Sequence, residues 1–265
     1  MRLRVDSIGC LVTGASSGIG RAVAVELGRR RCRVALVARR GEELEATARA
    51  VEAAGGRAAP FVADVRDAAA LRGAVDAGAA WSGGLRLAVV NAGVGVHGAL
   101  ASLPSAELRE AVEVNLLGML GSAQAVLPYL RAVTPSALVV VSSLSAIIPY
   151  RGGGGYAAGK AGVIAALRCL RLELAGAGVT VGWLCPGHVD TRIVVDRIPF
   201  AKLPRLARLL VPVLSPERVA RAVVRHAPRG GEQVLPWQAL PFAAFARCLP
   251  RLAERALRWS GAGEP

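Results

Sequence analysis

Tyr156 and Lys160 are the residues whose types and spacing most directly indicate chemistry. They lie four positions apart in the segment YAAGK, so a helix would place both side chains on one face. A free tyrosine has a pKa of about 10, and a nearby ammonium group favours the phenolate and lowers that value. The pair is therefore predicted to act as a general acid and base near neutral pH.

The use of lysine at position 160 supports this interpretation. Of the 33 basic residues, only Lys160 and Lys202 are lysines, and the other 31 are arginines. An ammonium group is compact and has rotatable donors, whereas a guanidinium is a planar fork. A lysine can therefore favour the phenolate and also hydrogen-bond a ribose. Arginine is a poor substitute in this double role.

A glycine-rich turn, TGASSGIG (13–20), joins the first predicted strand to the first predicted helix. Gly14 allows a tight turn, Gly18 lets phosphate oxygens approach the backbone, and Gly20 allows close helix packing. The helix N-terminus then offers free N–H groups to a pyrophosphate. The candidate nucleotide-binding residues of this turn are Gly14, Ser16, Ser17, Gly18, Ile19 and Gly20.

Arg39 and Arg40 follow the second predicted strand, at the place where an acidic residue would bind the 2′-hydroxyl of NAD. A basic residue there suits the 2′-phosphate of NADP instead. Since two arginines and no acidic residue stand at this place, the predicted cofactor is NADP(H).

The same turn also permits a different class of enzyme. GASSG (14–18) matches the G-x-S-x-G elbow of serine hydrolases, with Ser16 as nucleophile and Asp190 and His226 following in the right chain order. Such an elbow needs several sheet strands before it, and only one is predicted here. The hydrolase is therefore the less favoured alternative.

Apolar runs alternate with amphipathic runs along most of the chain. Strands are predicted at 8–14, 33–38, 58–64, 85–93, 136–143, 179–187 and 232–237. Helices are predicted at 18–30, 41–55, 67–80, 104–132 (two helices), 155–175 and 215–226. Near-continuous apolar strands between helices predict an α/β fold, a doubly wound parallel Rossmann-type sheet of about seven strands.

The alternation contains no linker and no repeat, which indicates one domain over 1–235. Within it, the apolar and cationic segment 190–212 is interpreted as a substrate lid that suits a hydrophobic substrate. The region 236–265 is interpreted as a basic tail and not as an independent domain. Phenylalanines and leucines alternate with arginines over 240–259, so this segment could lie on an anionic membrane surface or pack on protein.

Several motifs together resemble the short-chain dehydrogenase/reductase family, in its NADP-preferring type. Their order and spacing agree over about 8 to 235. The matching residues are TGASSGIG, Asp64, NAG (91–93), Asn115, Ser143, YAAGK and PGHVDT (186–191). The resemblance implies an oxidoreductase that transfers hydride between a nicotinamide and a ketone or secondary alcohol.

The resemblance also implies a catalytic tetrad of Asn115, Ser143, Tyr156 and Lys160. Tyr156 would protonate the carbonyl oxygen, and Ser143 would hydrogen-bond that oxygen. Lys160 would lower the pKa of Tyr156 and hold the nicotinamide ribose. Asn115 would position a water that links Lys160 to solvent.

Further cofactor contacts are carried over from the same motifs. Asp64 and Val65 would contact the adenine. Asn91, Ala92 and Gly93 would line the nucleotide. The nicotinamide amide would be held by Pro186, Gly187, Val189 and Thr191. Two positions depart from the family. Gly159 stands where Ser or Thr is common, and close packing at the nucleotide is expected to explain it. Ser17 replaces a basic residue of many NADP-preferring relatives, so the NADP assignment depends on Arg39 and Arg40.

Other polar residues near the motifs stay open at this point. Spacing favours Ser143 over Ser142, and Ser145 either lines the pocket or caps a turn. His97 is expected to have a structural or surface role, while a ligand role for His188 is open. The tyrosines outside the YAAGK segment, Tyr129 and Tyr150, are expected to be packing residues.

The composition restricts the partners. A net charge of +14 attracts anions, but no basic run is interleaved with aromatic residues, so nucleic acid is not expected. The five cysteines form no CxxC pair, which disfavours a metal site and fits a reducing cytoplasm. The protein is expected to be cytoplasmic and to form a homo-oligomer, a dimer or tetramer. Peripheral contact with a membrane through 240–259 is left open. A second hypothesis is a catalytically silent NADP-binding sensor at a membrane surface.

Overall fold

The computed structural model describes residues 3–191 and 211–259. Most of the expected lid, with Lys202, therefore lies outside the described residues. Seven parallel strands form one sheet in the order β3-β2-β1-β4-β5-β6-β7. The strands are β1 Gly9–Thr13, β2 Arg33–Ala38, β3 Arg57–Val62, β4 Leu87–Val90, β5 Ser136–Val141, β6 Val179–Pro186 and β7 Gly231–Leu235. The predicted fold class is confirmed.

Helices cover both faces of the sheet. They are α1 Gly18–Gly28, α2 Gly41–Ala53, α3 Ala68–Ser82, α4 Ser105–Val112, α5 Met119–Ala132, α6 Gly154–Glu173, α7 Pro216–His226, α8 Leu240–Cys248 and α9 Pro250–Trp259. Local signals explain where some of them begin. Asp67 caps α3 by accepting hydrogen bonds from two backbone N–H groups, and Ser215 precedes Pro216 at the first turn of α7.

The strands are almost wholly apolar because each face of the sheet has its own core. Val12 of β1 belongs to a cluster that includes residues of α1, α2 and α7. Leu11, its neighbour in the strand, points to the other face and belongs to a cluster with residues of α3, α5 and α6. This alternation is the period of two that a pleated strand imposes.

The strand order reverses its direction between β1 and β4, which are hydrogen-bonded neighbours. At such a switch point the connections leave the sheet toward opposite faces, and a crevice opens beyond the carboxyl ends of the strands. The glycine-rich turn follows β1, and Asn91 directly follows β4. The topology therefore gathers the predicted motifs at one edge of the sheet.

A six-residue π-helical segment, Glu113–Gly118, connects α4 to α5 and makes one continuous helix. The sequence predicts two helices here and gives no sign of the wider turn. Asn115, in its middle, is fully buried. Gly118 fits closely against a neighbouring loop, since a Cβ there would lie 2.6 Å from Val65 Cγ2. Single π turns of this kind are frequent at functional sites.

The first helix of the tail is packed on the domain. Ala243 and Ala246 of α8 are buried, and Arg247 forms a bidentate pair with Glu232 of β7 at 2.6 and 2.7 Å. Helix α9 then folds against α8 through the buried Ala253. Across residues 3–191 and 211–259, every helix is too short or too polar to cross a membrane.

Candidate active site

The glycine turn is compact because two of its residues adopt a left-handed backbone. Gly14 has a φ of 67° and Gly18 a φ of 53°, a region that side-chain-bearing residues rarely adopt. A Cβ atom on Gly20 would overlap the carbonyl oxygen of Gly14, so helix α1 can start this close to the turn only with glycine at that position. The sequence interpretation of these three positions matches this geometry.

Asn91 ties the turn to the end of β4. Its backbone N–H donates to Thr13 Oγ1 at 3.0 Å, and that of Ala92 donates to the same oxygen at 3.3 Å. The side-chain Nδ2 of Asn91 donates to the carbonyl oxygens of Thr13 and Gly14, at 3.3 and 3.4 Å. These hydrogen bonds hold the two loops on either side of the crevice in register.

Arg40 lies across the outer side of the glycine turn. Its Nη2 donates to Ser16 Oγ and to Ser17 Oγ, each at 2.9 Å, and its Nη1 lies 3.2 Å from Glu43 Oε1. The guanidinium is 42% exposed, so it remains accessible to a ligand. One cation and two hydroxyl groups therefore converge at this rim of the crevice.

Asp64 lies between two arginines at the other end of the same rim. Arg66 binds its carboxylate at 2.7 Å, and Arg39 Nη1 lies 3.7 Å from Asp64 Oδ2. Hydrogen bonding from Arg66 lowers the pKa of Asp64, against the opposing effect of burial. The carboxylate is therefore charged and partly neutralises Arg39, as Glu43 does Arg40.

These residues surround one cleft of about 320 Å³. The predicted site residues that line it are Gly14, Ser16, Ser17, Gly18, Ile19, Arg39, Arg40, Asp64, Val65, Asn91, Ala92, Gly93, Tyr156, Lys160 and Thr191. Ala38, Ala63, Val94, Val114, Val141 and Ser142 line it as well, although the motifs did not single them out as ligands. The remaining predicted residues, Gly20, Asn115, Ser143, Pro186, Gly187 and Val189, do not line the cleft.

Helix α6 places Tyr156 and Lys160 on its first two turns, with Lys160 almost fully buried at 3% exposure. The ammonium Nζ donates to the carbonyl oxygen of Val141 at 3.3 Å and contacts Met119 Sδ at 3.2 Å. It lies 5.8 Å from the centre of the Tyr156 ring. The spacing argument thus places both groups on one face of α6, as expected.

Burial has opposite effects on the two pKa values. It lowers the pKa of Lys160 to about 8, so the ammonium form still predominates at neutral pH. It raises the pKa of Tyr156, and the hydrogen bond with Ser143 acts in the other direction. The sequence argument expects Lys160 to lower the tyrosine pKa. In the structure desolvation is the larger effect, which keeps Tyr156 protonated and able to donate.

Asn115 is fixed by the backbone of the loop after β4. Its Oδ1 accepts from Val94 N at 3.0 Å, and its Nδ2 donates to Val94 O at 2.9 Å. A Cβ on Gly93 would lie 2.9 Å from Asn115 Oδ1 and 3.1 Å from Lys160 Nζ. Asn115 therefore lies behind Gly93, beside the lysine, where it shapes the cleft without lining it.

Gly159 has a packing reason, but not the expected one. A Cβ at this position would lie 2.9 Å from Asn115 Cβ and 3.2 Å from the carbonyl oxygen of Ala111. The close approach is thus between α6 and the π-helical segment, whereas the sequence interpretation placed it at the nucleotide. The glycine lets Asn115 and Lys160 stand side by side.

Ser142 and Ser143 have different partners. Ser142 Oγ is buried and donates to the carbonyl oxygen of Lys160 at 3.1 Å, so it holds α6 to the end of β5. Ser143 Oγ accepts from Ser145 N at 3.2 Å, where it caps the short helical turn Leu144–Ala146, and it acts to lower the pKa of Tyr156. The choice of Ser143 as the partner of the tyrosine stays a prediction.

The segment after β6 passes beside the glycine turn. Gly187 N donates to Leu235 O at 2.6 Å, directly after Pro186 at the end of the strand. Val189 forms a parallel bridge with Leu214, so the chain on both sides of residues 190–213 is joined at this point. Thr191 Cγ2 would lie 3.1 Å from a Cβ on Gly18, which brings this segment to the phosphate-binding turn.

Tyr150 and His97 lie near Tyr156, and the packing role expected for Tyr150 and the structural or surface role expected for His97 stay predictions. Tyr150 OH and His97 Nδ1 lie 3.0 Å apart. The ring of His97 lies 6.0 Å from the ring of Tyr156. The sequence signal that could have drawn attention to Tyr150 is the glycine run 152–155. A Cβ on Gly153 would overlap the Tyr150 ring, so the ring can lie there only beside a glycine.

The residues of the hydrolase alternative do not come together. Ser16 Oγ accepts from Arg40, whereas His226 lies at the end of α7, with its Nε2 3.0 Å from Gly231 O. Asp190 is exposed beyond the end of β6. No triad geometry exists among these three residues, and the hydrolase is not supported.

Comparisons with known proteins agree with this geometry. The family profile described as short chain dehydrogenase matches residues 9–200. Ketoacyl reductase HetN of Nostoc sp. is 30% identical over 259 residues, which cover 95% of this chain and 88% of that protein.

Two solved structures share the fold over 88% of this chain and 97% of their own chains. Carveol dehydrogenase from Mycobacterium avium, in complex with NAD, is 25% identical with a TM-score of 0.80. A short chain dehydrogenase from Burkholderia cenocepacia J2315, in complex with NADP, is 30% identical with a TM-score of 0.78. The chain therefore belongs to the short-chain dehydrogenase family of oxidoreductases.

Proposed function

We propose that this protein is an NADP(H)-dependent oxidoreductase that converts a ketone and a secondary alcohol into one another. The observation that carries the proposal is the cleft at the glycine turn, which Tyr156 and Lys160 both line, with Ser143 acting to lower the pKa of Tyr156. A proton donor, an oxyanion donor and a nucleotide crevice thus meet at one place. Neither the hydrolase nor a silent sensor uses all three.

The residues of the cleft fit a dinucleotide. The glycine turn and the N-terminus of α1 suit a pyrophosphate, and the buried ammonium of Lys160 suits a ribose hydroxyl. Asp64 and Val65 would contact the adenine. Bound NADP(H) would supply or accept the hydride.

The preference for NADP follows from the rim of the cleft. Arg40 and the hydroxyl groups of Ser16 and Ser17 form a set of donors that matches a phosphate better than a ribose hydroxyl. Arg39 adds a second cation, partly offset by Asp64. These donors support a preference for NADP. Similar proteins have been solved in complex with NAD and with NADP, so the preference has to be measured.

The chain's own residues perform the proton half of the reaction. A carbonyl oxygen between Ser143 and Tyr156 would accept hydrogen bonds from both hydroxyl groups. Because burial raises the pKa of Tyr156, its phenol keeps the proton until negative charge develops on that oxygen. Lys160 then stabilises the phenolate that forms, since its ammonium lies above the ring. Asn115 keeps the loop at Gly93 and Val94 in place.

The substrate proposed is hydrophobic, of lipid, steroid or polyketide type. Leu100, which is 62% exposed, lies against Gly154 at the start of α6, two residues before Tyr156. Trp237 and Leu240, which follow β7, are 69% and 53% exposed. Such apolar surface near the carboxyl ends of the strands suits a substrate with little polar surface.

The test is a screen of ketones and secondary alcohols that follows the absorbance of the reduced cofactor. We expect turnover with NADPH and long-chain or polycyclic ketones, and none with the Tyr156→Phe variant. Turnover that survives this substitution unchanged would refute the mechanism. Fluorophosphonate labelling of Ser16 would instead revive the hydrolase.

We also propose that the tail contacts anionic membrane surface and that the protein is a homo-oligomer, a dimer or tetramer. Leu249 and Leu252 are about half exposed, and Arg251, Arg255 and Arg258 beside them are exposed. Apolar and cationic side chains together suit an interface between water and anionic lipid.

Exposed Leu117 and Leu172 suit contact with a second copy. Sedimentation velocity measures the oligomeric state.

A further inference from the structure

The chain that follows β7 presents an apolar face to solvent. Residues 237–248 comprise a short helical turn and α8, and one side of this segment is buried through Ala239, Ala243 and Ala246. The exposed apolar residues recur at helical spacing on the opposite side and form an apolar stripe: Trp237, Leu240, Pro241, Ala244 and Cys248. A surface helix ordinarily has polar residues on its exposed side, so this face indicates a partner.

A single charged residue belongs to the fully described segment 237–248, and it does not interrupt the stripe. Arg247 is engaged by Glu232 of β7 through two hydrogen bonds, at 2.6 and 2.7 Å. This pair fixes α8 on the sheet, and with it the direction in which the stripe faces. Trp237 and Leu240 stay 69% and 53% exposed in this arrangement. The stripe is therefore a fixed feature of the surface.

The far end of the stripe continues into a cationic region. Cys248 lines a groove of about 390 Å³ together with Leu249, Leu252, Arg251 and Arg255. Helix α9 carries three arginines and one glutamate, which give it a net charge of +2. Apolar side chains that adjoin cations match a membrane surface. The apolar groups enter the boundary of the acyl chains, and the cations bind the phosphates of the headgroups.

A second copy of the chain fits this surface less well than a bilayer does. A two-fold contact through the stripe would pair the surface with itself, so the arginines of α9 in both copies would approach one another. Like charges that meet in an interface weaken it, and the whole chain has a net charge of +14. An anionic bilayer has the opposite sign, so the charges favour lipid as the occupant.

The near end of the stripe lies at the edge of the sheet where the cleft opens. Strands β6 and β7 end side by side, with Gly187 N donating to Leu235 O at 2.6 Å, and Trp237 follows two residues later. The segment that starts at Gly187 continues to Thr191, which lines the cleft. A surface that contacts the stripe would therefore also face the mouth of the cleft.

We propose that the apolar stripe inserts into the headgroup region of an anionic bilayer and holds the mouth of the cleft at the membrane surface. Trp237 is the anchor at the mouth, and Arg251 and Arg255 bind lipid phosphates at the far end. A ketone dissolved in the bilayer then reaches the cleft without crossing bulk water. This last step rests on the proposed function. The proposal goes beyond contact through the tail leucines, because α8 is the inserted element and the carboxyl edge of the sheet faces the lipid.

The first experiment places a charge in the middle of the stripe. Ala244→Glu adds a carboxylate at an exposed position of α8, where no packing is lost. Flotation with vesicles of equal parts phosphatidylcholine and phosphatidylglycerol should show at least about a tenfold loss of binding. Ala77→Glu is the matched control, since Ala77 is an exposed alanine of α3, which packs on β1 and β2. Its binding should stay within about twofold of the wild type.

The two ends of the surface are tested separately. Changing Arg251 and Arg255 together to Gln should weaken binding to the same vesicles about tenfold and leave binding to pure phosphatidylcholine unchanged. The tryptophan emission of the wild type should shift to the blue when vesicles are added. Trp237→Phe should remove most of that shift, because Trp237 is the residue that enters the lipid. A shift of equal size in Trp237→Phe would contradict the proposed anchor.

Two substrates test the orientation of the cleft. A water-soluble ketone without vesicles reports on the reaction alone, and Ala244→Glu should leave its kcat/KM with NADPH unchanged. A long-chain ketone held in the vesicles should be reduced about tenfold more slowly by Ala244→Glu than by the wild type, in step with the loss of binding. Equal rates on the vesicle-bound ketone would show that the mouth does not face the membrane.

The outcomes separate this proposal from the proposed function. A wild type that reduces neither ketone overturns the proposed function, while flotation and emission still test the insertion of the stripe. Turnover of the soluble ketone, with equal vesicle binding by wild type and Ala244→Glu, overturns the stripe alone. An Ala244→Glu variant that loses a dimer in sedimentation velocity but keeps its vesicle binding also overturns it, because a second copy then covers the stripe.

Discussion

The two sides of Tyr156 are built from different kinds of contact. On the nucleotide side, the polar side chains of Asn91, Asn115 and Lys160 are bonded mainly to backbone atoms. On the other side, Ser143 pairs with Ser145 and Tyr150 pairs with His97 through their side chains, each at 3.0 Å.

A hydrogen bond from a side chain to the backbone is retained only if the same type of side chain stands at the same place in the fold. The residues of the nucleotide side are therefore restricted to those of the family motifs. A contact between two side chains can be exchanged as a pair when one loop changes. The nucleotide side and Ser143 carry residues of the family motifs, whereas Ser145, Tyr150 and His97 lie outside those motifs.

The largest expected effect is on the rate of the reaction at Tyr156, which lies between the two sides. Tyr156→Phe should lower kcat at least about a hundredfold, since it removes the general acid. NADPH affinity, measured by fluorescence titration, should stay within about twofold, because the phenyl ring still fills its place beside Lys160. A comparable loss of cofactor affinity would show that the two sides are not separable.

The second prediction concerns the stability of the nucleotide side. The pKa of Lys160 falls from an ordinary value of 10.5 to about 8 in the fold, so the unfolded chain binds this proton more tightly. The group therefore lowers stability by about 3 kcal/mol below pH 8, and that cost disappears as the pH rises toward 10.5.

Lys160→Met should accordingly be inactive and yet more stable than the wild type near neutral pH, by up to about 3 kcal/mol in urea unfolding. The difference should shrink as the pH rises through 8 and toward 10.5. A difference that does not vary with pH would mean that the buried ammonium carries no desolvation cost.

The third prediction tests the outer rim of the nucleotide side. Arg40→Asp should lower the NADPH-to-NADH ratio of kcat/KM at least about tenfold, because charge-assisted hydrogen bonds to the phosphate are lost and a repulsive charge is gained. Arg39→Asp should act in the same direction but less, since it is Arg40 that donates to Ser16 and Ser17 at the glycine turn.

Arg49→Asp provides the control for net charge, because Arg49 is exposed on α2 and does not line the cleft. It should leave the ratio unchanged. An equal effect of all three substitutions would mean that overall charge, and not a local site, sets the preference.

The fourth prediction compares two glycines that are both inside helices. Gly159→Ala should lower stability by about 1 to 3 kcal/mol and also lower kcat, because its Cβ would press on Asn115 and on the backbone of Ala111. Gly73→Ala, at an exposed position of α3 with nothing near the new Cβ, should raise stability by about 0.5 to 1 kcal/mol. Similar changes in both variants, by thermal unfolding and initial rates, would remove the packing argument.

The smallest expected effect lies farthest from Tyr156, in the tail. Changing Leu249 and Leu252 to Gln together should weaken partition to anionic vesicles about fivefold, by flotation, because two half-exposed side chains lose their apolar surface. Val62→Gln is the control, since Val62 is 63% exposed at β3, the opposite edge of the sheet from β7. Binding that is equal in all three proteins would exclude the tail as the contact.

The fold and the nucleotide side were predictable from sequence because both depend on local signals. Apolar runs of strand length give the sheet, and the glycines of 13–20 have backbone requirements that no other residue meets. Tyr156 and Lys160 were found through helical spacing, and Ser143 through the resemblance. In each case the signal lies within a few residues or within a family motif.

The rest depends on contacts between distant segments. His97 and Tyr150 are far apart in the chain, and only the joined loops bring them together. The π-helical segment has the composition of an ordinary helix, so its extra residue is visible only in the structure. The direction of the Tyr156 pKa shift depends on how deeply its neighbours bury it, which spacing to Lys160 does not report.

The bridge between Val189 and Leu214 has a consequence for how the protein can change. Hydrogen bonds from Leu214 N to His188 O at 2.8 Å, and from Asp190 N to Leu214 O at 2.9 Å, close the base of the intervening segment. With the base closed, doubling the number of residues between its ends adds only about 0.6 kcal/mol of closure entropy. Segments of other lengths can therefore be grafted between Val189 and Leu214 at little entropic cost, while the sheet and the dinucleotide crevice stay as they are.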